Sequence, residues 1–406
     1  MSDIYIVRHG ETSSNRAGLW QGATDSPLTP TGEEQIRRLA GRLRPFDFDA
    51  IVASDLGRAQ STAEALGKTF DSSARWREPD LGDWEGKTHD QVRAMSPEAL
   101  EGFVRGEDVR LGGAGRLSDA ATRLIQAYRD LVADIGPDGK ALIVTHGLAI
   151  AVLTGVLLNT GRPNPLVLPG NTGLVHLSAN GSEDRLHIHN DTTHLVEPPI
   201  SHRRGTEVVF IRHGQTAGNV AGRWQGQQDG ALTDEGRSQA KGAIAGLPEL
   251  DALYTSRLGR AVETAEIIGG GLGLEPSVVP GVEEFGFGAW EGLTSEEIRA
   301  ADPEQAHQLF DLGRDIVRGG TGETWARLKG RVAAAAQELA ARHEGGRIGV
   351  VSHGGATRAF ANEVLELGFE QRHTIAPMRN TGFSTFAVTP QAVRILQWNI
   401  APHLEL

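Results

Sequence analysis

Two stretches of the sequence carry arginine, histidine and asparagine at the same spacing, in the order Arg-His-Gly-x-Thr-x-x-Asn. The residues that this spacing singles out are Arg8, His9, Asn15, Arg212, His213 and Asn219. Guanidinium groups bind phosphate oxygens through paired, charge-assisted hydrogen bonds, and arginine has no lone pair with which to bind a metal ion. An imidazole that nearby cations keep neutral can attack phosphorus with its free ring nitrogen. These residue types therefore favour phosphoryl chemistry over a metal site.

A later arginine and a later histidine in each half extend the candidate site. They are Arg58 and His146 in the first half, and Arg260 and His353 in the second. A second histidine can stabilise negative charge on the oxygens of a phosphoryl group in transfer. A carboxylic acid can protonate the leaving oxygen and then deprotonate an attacking water. This scheme uses no metal ion, and we expect neither a metal nor a cofactor.

The same motifs return because the sequence is duplicated. Four further motifs repeat in the same order: Trp-Gln-Gly at 20 and 224, Leu-Gly-Arg-Ala at 56 and 258, Trp-Glu-Gly at 84 and 290, and Asn-Thr-Gly at 171 and 380. A repeat of this length indicates a duplicated domain and not a solenoid unit. We predict domains at 1–196 and 206–406. The segment 197–205 contains adjacent prolines, two arginines and a glycine, which is typical of a short, stiff linker.

Composition excludes several other classes of protein. The chain has 406 residues, which suits two domains, and its 39% hydrophobic and 23% charged residues rule out a disordered or fibrous chain. A net charge of −12 argues against nucleic-acid or anionic-membrane binding, and the absence of cysteine excludes disulfides and thiolate chemistry. No run approaches the roughly 20 apolar residues of a membrane span. We expect a cytoplasmic protein whose partner is a small phosphomonoester.

Strands that alternate with helices must position these residues. The candidate strands are 4–7, 50–53, 141–144 and 208–211. Helical patterns follow at 56–66 and 148–158, and Thr29 with Pro30 has the pattern of a helix start. Such alternation predicts an α/β fold with a largely parallel sheet. Ligands bind beyond the carboxyl ends of its strands, so Arg8-His9, Arg58 and His146 should meet in one cleft.

Together these motifs resemble the histidine phosphatase superfamily, in the branch that contains the cofactor-dependent phosphoglycerate mutases. The resemblance covers the whole chain, twice. It implies two three-layer α/β/α sandwiches, each with a mostly parallel central sheet. It also implies that His9 and His213 are phosphohistidine nucleophiles. The implied lining of the phosphate pockets is Arg8, Asn15, Arg58 and His146, with Arg212, Asn219, Arg260 and His353 in the second half.

The resemblance further implies a glutamate as proton donor, four residues before the glycine of the Gly-x-Trp-Glu-Gly motif. That spacing selects Glu78 and Glu284. Acidic neighbours compete for the role, since Asp80, Asp83 and Glu85 are close to Glu78, and Glu283 precedes Glu284. We interpret the four repeated tryptophans as packing residues: Trp20, Trp84, Trp224 and Trp290. We interpret His194 and His403 as structural residues that hydrogen-bond a loop.

The function that follows is hydrolysis of small phosphomonoesters through a phosphohistidine, in both halves. The resemblance implies a longer segment between the glutamate and the second histidine in true mutases than the 68 and 69 residues found in this sequence. Water should therefore reach the phosphohistidine, and hydrolysis is favoured over transfer. Two alternatives stay open: a mutase-like phosphotransferase, and one active half beside a silent phosphate-binding or scaffolding half. The halves differ, because Glu323 has no counterpart near Gly115. They could also pack as an intramolecular pseudo-dimer.

Overall fold

The computed structural model describes residues 1–159, 166–180, 183–195 and 205–404. The chain divides into two compact units, Met1–Ser201 and His202–Leu406. Of the predicted linker at 197–205, every residue except Gly205 lies outside the described residues, so its stiffness stays a prediction. Among the described residues, no helix has both the length and the apolar composition that crossing a bilayer requires.

The first unit alternates strands with helices, as the sequence pattern predicts. Its strands are β1 (Ser2–Arg8), β2 (Ala50–Ser54), β3 (Asp71–Ser73), β4 (Lys140–Thr145), β5 (Leu174–Ala179) and β6 (Asp184–Asp191). Its helices are α1 (Ser13–Arg16), α2 (Pro30–Leu43), α3 (Gly57–Glu64), α4 (His89–Met95), α5 (Pro97–Val104), α6 (Leu117–Ile135) and α7 (Gly147–Leu157). Short 3₁₀ turns lie at Ala74–Trp76, Gly82–Trp84 and Leu111–Gly113.

In the sheet of this unit the strands follow the order β3-β2-β4-β1-β5-β6. The pairs β3–β2, β2–β4 and β4–β1 are parallel, and β5 and β6 add antiparallel strands beside β1. The register of the central pair sets Arg8 opposite Thr145. His9 and His146 are the next residues of the two strands, so both leave the sheet at the same point of its carboxyl edge.

The second unit repeats this arrangement. Its strands are β7 (Thr206–Arg212), β8 (Ala252–Thr255), β9 (Ser277–Val278), β10 (Arg347–Ser352), β11 (Phe383–Val388) and β12 (Val393–Ile400). Its helices are α8 (Ala217–Val220), α9 (Asp234–Ala243), α10 (Gly259–Leu272), α11 (Ser295–Ala301), α12 (Pro303–Ala306), α13 (Trp325–Arg342) and α14 (Gly354–Val364). Shorter turns lie at Ile244–Gly246, Gly288–Trp290 and His307–Asp311. The strand order is β9-β8-β10-β7-β11-β12, and Arg212 is set opposite Ser352.

Apolar residues on the central strands and on one face of the helices form the core of each unit. Ile4, Ile6 and Val7 of β1 are fully buried, and α2 buries the stripe of Ile36, Leu39 and Leu43. Burial of this apolar surface is the main stabilising contribution to such a sandwich. The mostly parallel sheet with flanking helices in each unit agrees with the predicted α/β architecture.

Local signals in the sequence account for the helix ends. The predicted cap is confirmed, because the Thr29 side chain accepts a hydrogen bond from the Gly32 N–H at 3.0 Å, where α2 begins. The prediction of a helix over 56–66 was too long. Helix α3 ends at Glu64, and Gly67 follows with a positive φ of 66°. Glycine adopts that conformation easily, and it stops the helix.

Candidate active site

His9 lies directly beyond β1 with 3% of its surface exposed. Its Nδ1 is 2.8 Å from the carbonyl oxygen of Gly10, which can only accept, so Nδ1 carries the proton. The lone pair is therefore on Nε2, which receives a hydrogen bond from the Arg58 Nε at 3.3 Å. Burial, followed by the charges of Arg8 and Arg58, holds the pKa of His9 well below its usual range. This imidazole is neutral and nucleophilic at Nε2.

The two arginines around His9 differ in how many of their hydrogen-bond donors already have a partner. Arg58 donates to the carbonyl oxygens of Gly22 and Thr24, each at 2.8 Å, which locks its position beside His9. Arg8 donates one Nη1 hydrogen bond to Pro169, and its buried Nε has no partner among the described residues. An unpaired buried N–H is costly, so the Arg8 guanidinium is suited to an anion that would satisfy it.

His146 stands opposite His9, with 5.2 Å between the ring centres. Its Nε2 is 2.8 Å from the Ser54 hydroxyl, and its buried Nδ1 has no partner among the described residues. Burial, with neighbouring His9 and the arginines, keeps the pKa of His146 well below its usual range. Ser54 ends β2 and was not predicted as a site residue. The repetition of serine at 54 and 256 was the available signal.

Glu78 is the acid that the structure sets among these groups. Its carboxylate accepts from the Leu148 N–H at 3.1 Å and the Ala149 N–H at 2.7 Å, at the N-terminus of α7. Burial raises the pKa of Glu78 in spite of these bonds. The competing acids face elsewhere: Asp80 accepts from the Gly82 N–H, and Glu85 from the Ala23 N–H. A buried carboxyl with a raised pKa is suited to give up a proton to a leaving oxygen.

Asn15 is an uncharged site residue that is linked to the His9 backbone by side-chain amide hydrogen bonds. Its Oδ1 accepts from the Asn171 Nδ2 at 3.0 Å, and the same Nδ2 donates to the His9 carbonyl oxygen at 3.0 Å. Asn171 was not predicted as a site residue, although the repeated Asn-Thr-Gly motif contained it. The next residue, Thr172, has a positive φ of 57° and bonds His194 at 2.9 Å. The structural interpretation of His194 is confirmed.

The second half assembles the same contacts. The Nδ1 of His213 is 2.7 Å from the Gly214 carbonyl oxygen, and its Nε2 receives the Arg260 Nε at 3.2 Å. His353 lies 5.2 Å from His213 between ring centres and bonds the Ser256 hydroxyl at 2.9 Å. Burial and the nearby arginines hold the pKa of both histidines well below the usual range.

The remaining residues of this half follow the same plan. The Nδ2 of Asn380 bridges the Asn219 Oδ1 at 3.2 Å and the His213 carbonyl oxygen at 2.9 Å. Arg212 donates to the Met378 carbonyl oxygen, and its buried Nε has no partner among the described residues. His403 bonds the Thr381 hydroxyl at 2.7 Å, which confirms its structural interpretation.

Glu283 and Glu284 are adjacent in the sequence, but their carboxylates have different partners. Glu284 accepts from the Phe285 N–H at 2.9 Å and the Gly355 N–H at 3.0 Å, and it lines the cavity of this half. Glu283 instead pairs with Arg331 at 3.3 Å. A Cβ on Gly355 would lie 2.4 Å from the Glu284 Oε1, so the glycine makes room for this carboxylate.

A cavity of about 410 Å³ opens over the second site. Arg212, His213 and Arg260 form part of its lining, and so does Trp224. The interpretation of Trp224 as a packing residue is confirmed, because its ring packs against Phe287 and the buried cluster around Trp290, and Trp224 also lines this cavity. Trp84 and Trp290 are fully buried, as a packing role requires.

The family follows from comparison with known proteins. The model of the histidine phosphatase superfamily (branch 1) matches residues 4–192 and 208–401. The chain therefore belongs to the histidine phosphatase superfamily and contains two tandem copies of its domain.

Each of the individual relatives aligns with a stretch of this chain that is about as long as one copy of the domain. The probable phosphoglycerate mutase GpmB of Erwinia tasmaniensis is 35% identical over 163 residues, which is 39% of this chain and 75% of that protein. Among solved structures, phosphoserine phosphatase from Entamoeba histolytica with bound phosphoserine is 30% identical, covering 49% of this chain and 99% of that one, with a TM-score of 0.45. A mycobacterial glucosyl-3-phosphoglycerate phosphatase is 29% identical, covering 48% and 98%, with a TM-score of 0.43.

Proposed function

We propose that each half hydrolyses a small phosphomonoester through a phosphohistidine, on His9 in the first half and on His213 in the second. One observation carries this proposal. In both halves an imidazole has its Nδ1 proton fixed on its own loop carbonyl and its Nε2 lone pair beside a buried guanidinium. A neutral nucleophile next to cationic donors is what attack on a phosphate dianion requires.

The first step forms a nitrogen–phosphorus bond and breaks the phosphorus–oxygen bond of the ester. The Nε2 of His9 attacks phosphorus while Arg8 and Arg58 carry the charge on the oxygens that do not leave. His146 stabilises the charge on the phosphoryl oxygens by donating a hydrogen bond from its ring N–H. Glu78 gives its proton to the leaving oxygen, so the alcohol departs neutral.

The second step restores the enzyme. Glu78, now a carboxylate, takes a proton from water as the water oxygen attacks phosphorus. The nitrogen–phosphorus bond breaks, inorganic phosphate leaves, and both His9 and Glu78 return to their first protonation states. Residues of the second half with the same contacts would carry out the same sequence, with His213 as nucleophile and Glu284 as acid.

The test uses the full chain with His9→Ala, His213→Ala and the double variant. We expect a ³²P-labelled monoester, quenched rapidly, to leave acid-labile label on each single variant and none on the double variant. Inorganic phosphate should be released from both single variants. The control is His307→Ala, because that side chain is 56% exposed and lies outside both sites.

The outcomes separate the alternatives. Turnover by the double variant, or turnover without any labelled histidine, would overturn the proposal. The relatives described as probable phosphoglycerate mutases make a phosphotransferase the second candidate, and an isomerised phosphate ester in place of free phosphate would favour it. If one single variant keeps full turnover and the other has none, one half is silent.

A further inference from the structure

The segment that carries each proposed proton donor is bound by an arginine from the long helix of its own unit. In the first unit, Arg123 of α6 donates to the carbonyl oxygens of Ala74 and Arg75, at 3.2 Å and 2.6 Å. It also donates to the carbonyl oxygen of Arg77 at 2.9 Å. These oxygens lie on the segment directly before Glu78. One guanidinium, with its donors in a rigid plane, therefore fixes the backbone from which the Glu78 side chain projects.

The second unit has the same arrangement. Arg331 of α13 donates from Nη1 to the carbonyl oxygens of Gly281 and Glu283, each at 3.1 Å. Its Nη2 donates to the backbone carbonyl oxygen of the acid Glu284 at 3.3 Å. Arg123 and Arg331 are each the seventh residue of their helix, so corresponding turns of α6 and α13 supply them. We call these two residues the clamp arginines.

An ion pair also binds this segment in each unit, with its charges exchanged between the two. In the first unit Arg77, directly before the acid, donates to both carboxylate oxygens of Asp55, at 2.6 Å and 2.7 Å. In the second unit Glu283 has that place, and its Oε1 lies 3.5 Å from the Arg257 Nε. Asp55 and Arg257 each follow the serine that bonds the second histidine of the site. The two units therefore share the contact between these positions, although neither residue type is the same.

The acids lie on irregular backbone that depends on such contacts. Residues 77–81 form no helix or strand, and neither do residues 282–287, so regular backbone pairing does not fix the acids. Thr145 of β4 donates to the Trp76 carbonyl oxygen at 2.6 Å and anchors one point of the first segment. The clamp arginine adds three more hydrogen bonds beside it. A general acid must lie within hydrogen-bond reach of the leaving oxygen, and a displacement of about 1 Å can cost about 100-fold in rate.

In the second unit two carboxylates orient the clamp arginine. Arg331 pairs with Glu283 at 3.3 Å and with Glu323 at 2.8 Å. Glu323 also accepts a hydrogen bond from the Gly286 N–H at 3.0 Å, two residues beyond the acid Glu284. Together Arg331 and Glu323 therefore bind the backbone on both sides of the acid.

We propose that the clamp arginines, assisted by the exchanged ion pairs, are positioning residues for the proton donors Glu78 and Glu284. Their hydrogen bonds go to the backbone of the acid's segment and not to the acid's carboxylate, so they act on the leaving group through the acid. This inference rests on the proposed function, because it requires Glu78 and Glu284 to protonate the leaving oxygen.

The test compares two leaving groups in the first turnover of the full chain carrying His213→Ala. In Arg123→Ala, release of glycerol from glycerol 2-phosphate should slow about 100-fold, the cost of a misplaced catalytic group. Release of p-nitrophenol from p-nitrophenyl phosphate should stay close to the parent rate, because that leaving group needs no proton. A purely structural defect would disturb the phosphate-binding arginines and His9 as well, and would slow both substrates alike.

Combination with Glu78→Gln shows whether Arg123 acts through the acid. Once the acid is gone, Arg123→Ala should slow glycerol release no further. Arg123→Lys, which keeps the charge without the planar fork, should give an intermediate rate in the chain that retains Glu78. The control is Gln126→Ala, an exposed residue of the same helix, and thermal unfolding checks that each variant is folded.

Exchange of the ion pair tests the same segment without touching the clamp. Arg77→Glu alone places two carboxylates together and should slow glycerol release about fivefold, the range of one partly exposed ion pair. The double variant Asp55→Arg/Arg77→Glu has the charges of the second unit and should return the rate to within about twofold of the parent. A double variant as slow as the single one would contradict the role of the ion pair.

The second unit supplies the matched experiment in the His9→Ala background. Arg331→Ala should give the same difference between the two leaving groups. Its control is Arg342→Ala, at the far end of α13 with 53% of its side chain exposed.

Failure of this inference differs from failure of the proposed function. If Arg123→Ala leaves both rates unchanged, slows both equally, or keeps its full effect beside Glu78→Gln, the inference alone is overturned. The absence of phosphate release from both substrates by the parent chain, with no labelled histidine, would overturn the proposed function.

Discussion

At the scale of single residues, hydrogen bonds from neighbouring loops set the chemistry of one imidazole in each half. The Gly10 carbonyl oxygen fixes the His9 tautomer, and Arg58 fixes the direction of Nε2. Arg58 itself is held by two carbonyl oxygens, so it cannot swing away from His9. The reactive nitrogen is thus prepared before any substrate binds, which is the general requirement of preorganised catalysis.

We predict that Asn171 contributes to catalysis, although its Asn-Thr-Gly motif has no evident chemical role. Replacing it with alanine removes two hydrogen bonds, to His9 and to Asn15. We expect Asn171→Ala in the His213→Ala background to lower kcat about fivefold, because loss of the hydrogen bond to the His9 carbonyl oxygen costs about 1 kcal/mol. Steady-state kinetics with a simple monoester measures this. The control is Asn180→Ala, an exposed residue directly after β5. An unchanged kcat for Asn171→Ala would show that these amide hydrogen bonds do not position His9.

The raised pKa of Glu78 leads us to predict how activity changes with pH. Because burial raises its pKa, the carboxyl stays protonated to a higher pH than usual, and activity falls as pH rises through that pKa. The lowered pKa of His9 keeps this proposed nucleophile neutral on the acid side. We therefore expect kcat/KM of the His213→Ala variant to be highest at acid pH, as a pH–rate profile would measure.

Glu78→Gln tests the same role, because glutamine cannot donate a proton. It is measured in the same His213→Ala background. Hydrolysis of an alkyl phosphate should fall by about 10²–10⁴-fold. Phosphoryl transfer from p-nitrophenyl phosphate should suffer much less, since its leaving group needs no proton. Because Glu78 is also the proposed base of the second step, the comparison uses the rate of alcohol or nitrophenol release in the first turnover. If that rate falls equally for both substrates, Glu78 is not the proton donor.

At the scale of elements, parallel strand pairing and two helix starts build each site. The register of β1 on β4 brings Arg8 beside Thr145, and α7 begins immediately after His146. The first residue of α7, Gly147, lies against Arg8, and a Cβ there would be 3.3 Å from the Arg8 Nε. The absence of a side chain therefore lets the helix start and the arginine share one small volume.

Gly147→Ala tests this close approach. The added methyl group should displace the Arg8 guanidinium and raise KM about tenfold, the cost of weakening one charge-assisted hydrogen bond. Kinetics in the His213→Ala background measures it. Gly41→Ala is the matched control: it lies in α2 with open space around it, so activity should not change and stability should rise by about 0.5–1 kcal/mol. An unchanged KM for Gly147→Ala would contradict the argument.

At the scale of the whole molecule, each unit supplies every described residue of its own site. His9, Arg58 and His146 belong to the first unit, and their counterparts belong to the second. Among the described residues, each unit therefore carries its own set of the candidate site residues. The surroundings of the two sets of residues differ, since Phe285 and Trp325 of the second unit correspond to Pro79 and Leu117 of the first.

We expect the His9 site and the His213 site to work independently of each other. For p-nitrophenyl phosphate at saturation, the turnover rate of His9→Ala added to that of His213→Ala should equal the rate of the unmodified chain. The reason is that neither substitution removes a group from the other site. Measured rates that sum to much less than the unmodified rate would show that one half depends on the other.

The sequence by itself determined the duplication, the α/β pattern and the residues that can hold and accept a phosphoryl group. Those features are local: a motif at fixed spacing after a short apolar run identifies a strand end and the side chains just beyond it. The cap at Thr29 was predictable for the same reason.

Only the tertiary structure decided which of several adjacent acids faces the site, and which ordinary polar residues hold the imidazoles. Glu284 and Glu283 are indistinguishable by type, and they separate because one meets the start of α14 and the other meets Arg331. Ser54 and Asn171 come from segments distant in the chain, and each bonds a histidine of the site or its backbone. Contacts of this kind depend on sheet register and helix packing, which no single stretch of sequence encodes.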